Sequence, residues 1–275
     1  MSGFAPALVA TLLDDALAGH VRGHAPRIYG ISGLQGTGKS TLATQLVEAA
    51  QMRGLRAVSI SIDDVYLDRP QRQQLAHEVH PLLTTRGPPG THDVTLACRT
   101  LDALRAGKRA DLPSFDKLGD RRRPRAQWTP CDAVDLVVFE GWFLGTTAEA
   151  GDALVEPVNA LERDEDADGR WRRWCNDALA RDYPALWARI DRLLFLHPPG
   201  FDVVREWRWQ QECALKAAAI QAGEPASGGM TRAQVDRFIQ HYERISRQAL
   251  RTLPALAAST IALDTARRPL PATGR

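Results

Sequence analysis

The sequence predicts an α/β fold, with a parallel five-stranded sheet carrying helices on both faces. Three observations predict it. Short apolar runs alternate with helical patterns along the chain, a glycine-rich turn joins the first run to the first long helix after it, and carboxylates stand at the carboxyl ends of two runs. Strands that alternate with helices imply parallel pairing through crossovers. Ligands of such sheets collect beyond the carboxyl ends of the strands.

RIYGISG, from Arg27 to Gly33, reads as a buried strand ending in glycine. The turn that follows opens a helical pattern, STLATQLVEAAQMRG, closed by Gly54. Ala57 to Asp64 is a second strand with two carboxylates at its end. From Tyr66 to about Gln127 the chain is irregular and rich in Pro, Gly, Arg and His, with one helix near Val94 to Ala106. Ala133 to Gly141 is a third strand, followed by a polar segment with the acidic run Glu162 to Asp168 and helix-like sequence through Ala188. Ile190 to Pro199 is a fourth strand and Ser259 to Asp264 a short fifth. Between these two, helices are expected over Val203 to Gln221 and Thr231 to Leu250, separated by a loose GEPASGG turn. An amphipathic helix precedes the first strand. Residues 1–265 thus read as one domain, with an irregular substrate-binding insertion at 66–127 and lid and C-terminal helices over 203–250. Residues 266–275 read as a disordered tail.

Composition narrows the function classes. A chain of 275 residues can bury a sizeable core, and 44% hydrophobic with 25% charged residues is ordinary for a globular protein. A net charge of +2 is too small to point by itself to a nucleic-acid or anionic-membrane surface, and neither partner is expected. No apolar run approaches the roughly 20 residues that span a bilayer, and the N-terminal helix lacks the basic start of a signal peptide, so a cytoplasmic location is expected. Cys98, Cys131, Cys175 and Cys213 have neither disulfide-framework nor zinc spacing. Oligomeric state is not legible in the sequence.

GLQGTGKS, Gly33 to Ser40, carries the chemistry. It fits the Walker A pattern, in which backbone N–H groups at a helix N-terminus cradle phosphates. Gly33, Gly36, Thr37, Gly38, Lys39, Ser40 and Thr41 are the expected ATP-phosphate cradle, with Lys39 on the β- and γ-phosphates and Ser40 on Mg²⁺. Its setting between strand and helix makes the fold that of a P-loop NTPase. Glu140, ending VDLVVFEG, is the second expected Mg²⁺ ligand. Asp63 and Asp64 end the second strand; one of them suits the base that accepts a hydroxyl proton, Asp63 being preferred and Asp64 reading equally as a helix cap. Arg205 and Arg208, on a charged helix, are expected to close over the phosphates, Arg208 neutralising transition-state charge; a solvated helix face is the alternative. Arg244 and Arg247 offer further nucleotide support.

The blocks GISGLQGTGKSTL, SIDDVYL, VHPLLTTRGPPGTHD, PSFDKLGDRR, FEGWFLG, WRWQQE and HYERISR resemble, in order and spacing, the D-glycerate 3-kinase family. That family is related to pantothenate kinase, uridine kinase and phosphoribulokinase. The resemblance runs from about Ile28 to Asp264. It implies an ATP- and Mg²⁺-dependent kinase of a small hydroxyl compound, with the strand of Glu140 next to the first strand. It maps the base to Asp63 and a substrate-facing loop to Arg86, Gly87, Pro89, His92 and Asp93. Val65 departs from the family, which usually has an aromatic residue there. For a substrate such as D-glycerate, Arg86 and Lys117 are expected on the carboxylate, with Asp116 and His92 orienting the hydroxyls. Pantothenate or a nucleoside is the alternative acceptor. The rival outside the kinases is a nucleotide switch or transport ATPase, but the chain has neither an N-K-x-D guanine motif nor an L-S-G-G-Q signature.

Overall fold

The computed structural model describes residues 3–21, 24–221 and 229–271. In chain order the strands are β1 (Arg27–Gly33), β2 (Ala57–Ser61), β3 (Ala110–Leu112), β4 (Phe115–Asp116), β5 (Arg121–Arg122), β6 (Thr129–Cys131), β7 (Leu136–Gly141), β8 (Arg192–His197) and β9 (Ser259–Ala262). The helices are α1 (Pro6–Ala16), α2 (Lys39–Met52), α3 (Arg69–Glu78), α4 (Val94–Arg105), α5 (Ala160–Glu165), α6 (Arg170–Arg181), α7 (Pro184–Trp187), α8 (Asp202–Gln221) and α9 (Arg232–Leu256).

The five expected strands form one parallel sheet in the order β2-β7-β1-β8-β9. Side chains alternate across it and both faces are covered, which is why the strands read as continuous apolar runs. Leu136 and Val138 enter the core under α1 and α2, with Tyr29, Ile31, Leu42 and Leu46. Val137 and Phe139 enter the opposite core, with Ile28, Leu101, Leu104 and Tyr183. The register aligns Ser61, Glu140 and Ile31 across β2, β7 and β1. The glycine-rich turn, the β2 carboxylates and Glu140 therefore leave the sheet side by side, strands being about 4.8 Å apart.

Three expectations differ from the structure. The insertion is less irregular than its composition suggests: α3 was missed, and β3 pairs β6 and β4 pairs β5 as short antiparallel ribbons. Within the acidic run, which the sequence marked only as polar, Glu162 and Asp166 are buried on Arg244 and Arg172. The helix ending near Leu250 continues to Leu256 through an internal Pro254. Residues 266–271 are no loose tail: Leu263 bridges Pro269, and the Leu270 N–H donates to the Ala262 carbonyl at 2.8 Å. Residues 272–275, and the GEPASGG turn apart from Gly229, lie outside the described residues.

Candidate active site

The loop after β1 turns on Gly36 and Gly38, both left-handed at φ 86° and 92°. Glycine at 36 is also required sterically, since a Cβ there would meet Trp207 Cβ at 2.6 Å. The loop anchors on itself. The Leu34 carbonyl accepts from Thr37 N at 3.3 Å, Thr37 Oγ1 at 2.8 Å and Lys39 Nζ at 3.1 Å. Burial lowers the Lys39 pKa, and Glu140 and Asp63 oppose the shift. A 210 Å³ cavity opens at the N-terminus of α2, lined by Gly36, Gly38, Lys39, Ser40, Thr41 and Glu140 among others. Gly33 and Thr37 lie behind it: Thr37 is fully buried, and a Cβ at Gly33 would meet its hydroxyl at 2.9 Å. Helix-terminal N–H groups and an ammonium facing one small cavity can hold phosphate.

Ser40 Oγ donates to Glu140 Oε1 at 2.9 Å. Two oxygens in adjacent positions of an Mg²⁺ octahedron, each about 2.1 Å from the ion, stand about 3 Å apart. This hydroxyl and carboxylate therefore fit Mg²⁺.

Asp63 faces the same cavity from the short 3₁₀ turn Ile62–Val65 that ends β2. Tyr66 donates to its Oδ1 at 2.6 Å and Lys117 to its Oδ2 at 2.7 Å. Burial favours the neutral acid, but the Lys117 charge and hydrogen bond, with that of Tyr66, outweigh it and hold the pKa below the ordinary carboxylate value. Asp64 turns back on the chain and accepts from the Ser61 N–H at 3.1 Å, closing a capping box. Burial pushes its pKa up to about 6.

A second cavity of 540 Å³ shares Gln35, Asp63, Tyr66, Lys117 and Gln211 with the first and adds Arg86 and Arg208. Each cation already has an acid. Arg86 donates to Asp120 at 2.6 Å, Arg208 pairs with Glu212 at 2.9 Å, and Lys117 holds Asp63. An anion entering here meets three cations, each of which must share its acid's place with the newcomer.

Other expected site residues stand elsewhere. Arg205 is on the outer side of α8, paired with Asp236 of α9 at 2.5 Å, and lines neither cavity. His92 is buried behind Tyr66, its Nδ1 2.7 Å from the Tyr183 hydroxyl, and burial pushes its pKa down to about 3. Asp93 caps α4 through the Leu96 N–H at 2.9 Å and pairs with Arg122. Asp116 closes its own turn on the Gly119 N–H at 3.0 Å. Small loops rich in Gly and Pro need such caps, and this demand takes up Asp93 and Asp116. Arg244 is buried on Glu162 and Glu149, and Arg247 pairs with Glu243.

The cavities also use residues the sequence did not mark: Gln35, Tyr66, Trp142, Gln211 and Tyr242. Gln35 had a signal, a long polar side chain inside the glycine-rich turn. Both its amide atoms are buried without a hydrogen-bond partner. Tyr242 arrives from α9, and its hydroxyl donates to the Arg86 carbonyl at 2.8 Å across Gly87, where a Cβ would collide with it. A third cavity, of 620 Å³, shares Gly38 and Thr41 with the first and no lining residue with the second.

No family model matches the chain. It is similar to the uncharacterized kinase mug58 of Schizosaccharomyces pombe, 36% identical over 234 residues, which cover 79% of this chain and 78% of that one. It is 28% identical over 242 residues to the chloroplastic D-glycerate 3-kinase of Arabidopsis thaliana, covering 84% of this chain but only 49% of the plant protein's length. Among solved structures, the D-glycerate 3-kinase of Cryptococcus neoformans superposes with a TM-score of 0.77 at 26% identity, covering 96% of each chain. The glycine-rich loop, the strand-end acids and these likenesses agree: the chain belongs to the D-glycerate 3-kinase family of P-loop kinases, ATP-dependent enzymes that act on small molecules.

Proposed function

We propose that the chain transfers the γ-phosphoryl group of ATP to a primary hydroxyl of a small acid, D-glycerate at its 3-hydroxyl. One observation carries the reading. The phosphate cavity and the cavity holding Arg86, Lys117 and Arg208 meet at Asp63. A carboxylate leaving water needs cationic partners, and arginine offers it paired donors. The likeness to D-glycerate 3-kinases of Arabidopsis and Cryptococcus supports the same acceptor.

In this reading Lys39 leaves the Leu34 carbonyl for the β- and γ-phosphates, and the α2 N-terminus holds the phosphate oxygens. Ser40 and Glu140 hold Mg²⁺, which when bound neutralises charge on the phosphoryl oxygens. Asp63, kept ionised, orients the acceptor hydroxyl and takes its proton as the oxygen attacks phosphorus. Arg208 faces the acceptor cavity and neutralises charge on the transferred group. Arg86 and Lys117 receive the carboxylate, Lys117 staying beside Asp63 so that its charge still keeps the base ionised. Gln35 and Tyr66 line this cavity and, in place of Asp116 and His92, would orient the remaining hydroxyl.

The test is a panel of small hydroxyl compounds scored for acceptor-dependent ADP release. D-glycerate is expected to give the highest kcat/KM. An enzyme that ignores D-glycerate and phosphorylates pantothenate or uridine would refute the acceptor and leave the kinase reading standing.

A further inference from the structure

We infer that residues 264–271 form a strap, clasped by Arg267, that seats the nucleoside half of the phosphoryl donor; this rests on the ATP-dependent kinase reading. The 620 Å³ cavity beside the loop is walled by Phe4 and Leu8 from the N-terminal segment and by Arg267, Pro269 and Leu270 from the strap. It shares Gly38 and Thr41 with the phosphate cavity, whereas the acceptor cavity joins the phosphate cavity through Asp63 and Lys117. In-line transfer sets the leaving phosphates opposite the attacking hydroxyl. The nucleoside must then leave the loop on the side away from the acceptor, and this cavity opens there. Its size suits a purine nucleoside, and its largely apolar walls suit the faces of a base.

Among the described contacts, the strap reaches the glycine-rich loop through the Arg267 side chain. Arg267 has φ 66°, a conformation disfavoured for a residue with a Cβ, inside a turn that Asp264 closes on the N–H groups of Ala266 and Arg268 at 2.8 Å each. Its guanidinium donates to the Gly36 carbonyl at 2.8 Å and to Gln210 Oε1 at 2.9 Å, and lies 5.0 Å from the Trp207 ring centroid. Trp207 Nε1 in turn donates to the Thr265 carbonyl at 2.9 Å. The opposite wall is fixed separately, because Gln45 of α2 exchanges two hydrogen bonds with the Phe4 backbone at 2.9 and 3.0 Å. The loop itself is anchored on the Leu34 carbonyl. Loss of the guanidinium therefore unclasps the strap from the loop and from Gln210, although Trp207 and the Leu270–Ala262 bond still hold its ends, and it leaves the phosphate cradle standing, so Arg267 is a positioning residue for the base.

Calorimetric affinities for ADP and for tripolyphosphate, with the wild-type chain, Arg267→Ala, Arg267→Lys and Phe4→Ala, separate the possibilities. Arg267→Ala is expected to weaken ADP about tenfold while tripolyphosphate stays within about twofold. Phe4→Ala is expected to act in the same direction. Arg267→Lys keeps the charge without the planar fork and is expected to give a smaller loss of ADP affinity, which preserves the test if the alanine variant folds poorly. Unchanged ADP affinity in a folded Arg267 variant, or equal weakening of both ligands, would overturn the strap's role. A wild-type chain that binds neither ligand would overturn the kinase reading itself, and this inference with it.

Discussion

Asp63 and Asp64 are adjacent in the chain, yet the structure separates their tasks by the bonds each makes. Asp63 faces the phosphate cavity with Tyr66 and Lys117 on its two oxygens, while Asp64 closes a capping box. Asp63→Asn keeps the shape and removes the proton acceptor, so kcat should fall by a factor on the order of 10²–10⁴ with ATP affinity little changed. A loss of that size in Asp64→Asn, with Asp63→Asn near normal, would reverse the assignment. Lys117 sets the pH range over which Asp63 can act. The folded-state pKa of Asp63 is depressed, so the reactive carboxylate persists as pH falls until that lowered value is reached. Lys117→Met removes the main opposing charge, and burial then raises the Asp63 pKa. The acid limb of the kcat/KM profile should move to higher pH; a limb that stays in place would mean that Lys117 does not tune the base. The sequence made Asp63 legible because strand, carboxylate and turn are local features. It misplaced Asp93 and Asp116 because a cap and a ligand call for the same residue types, and His92 because its burial against Tyr183, 91 residues away, is not a local feature.

Helix α3 shows the same limit at the scale of an element. Its sequence, RPQRQQLAHE, has almost no apolar face, and its buried residue is Arg72. That guanidinium donates to the Leu67 carbonyl at 2.6 Å, the Thr84 carbonyl at 3.1 Å and Asp120 at 2.5 Å. Hydrophobic periodicity cannot register a helix whose buried side chain is charged, although Asp68 and Gln71 form a capping box at its start. Helix α8 was legible as a helix, but the direction of its arginines was not. Arg205 and Arg208 are three apart, and the structure turns one to Asp236 and the other to the acceptor cavity. Arg208 and Gln211 are the α8 groups that can close on substrate. If α8 acts as a lid, an ATP analogue should slow amide exchange most around Arg208 to Ala214, with Arg232 to Ile239 of α9 following through the Arg205–Asp236 pair. Equal protection with and without the analogue would make α8 a fixed wall.

Across the whole molecule, one buried arginine ties the last long helix to the connection that follows β7. Arg244 of α9 is buried, and its guanidinium meets Glu162 at 2.7 and 2.8 Å and Glu149 at 3.2 Å. It also donates to the carbonyls of Ala153 at 2.8 Å and Glu156 at 2.7 Å. These partners all lie in the connection from β7 to α6, so Arg244 gathers that connection onto α9. Two residues earlier, Tyr242 projects from the same helix into the phosphate cavity and holds the Arg86 carbonyl. The pattern HYERISR thus joins a site residue to the side chain that positions its helix, which explains why a sequence reading credits Arg244 with nucleotide contact. Removing one member of a buried charge network leaves the others uncompensated, at a cost of about 3–5 kcal/mol. Arg244→Ala should lower the denaturation midpoint accordingly, and Arg244→Lys, which keeps the charge but cannot reach all four partners, should fall between it and wild type. In whichever variant remains folded, KM for ATP should stay near the wild-type value, because Arg244 lines none of the three cavities around the loop. A raised KM for ATP at unchanged stability would return Arg244 to the nucleotide.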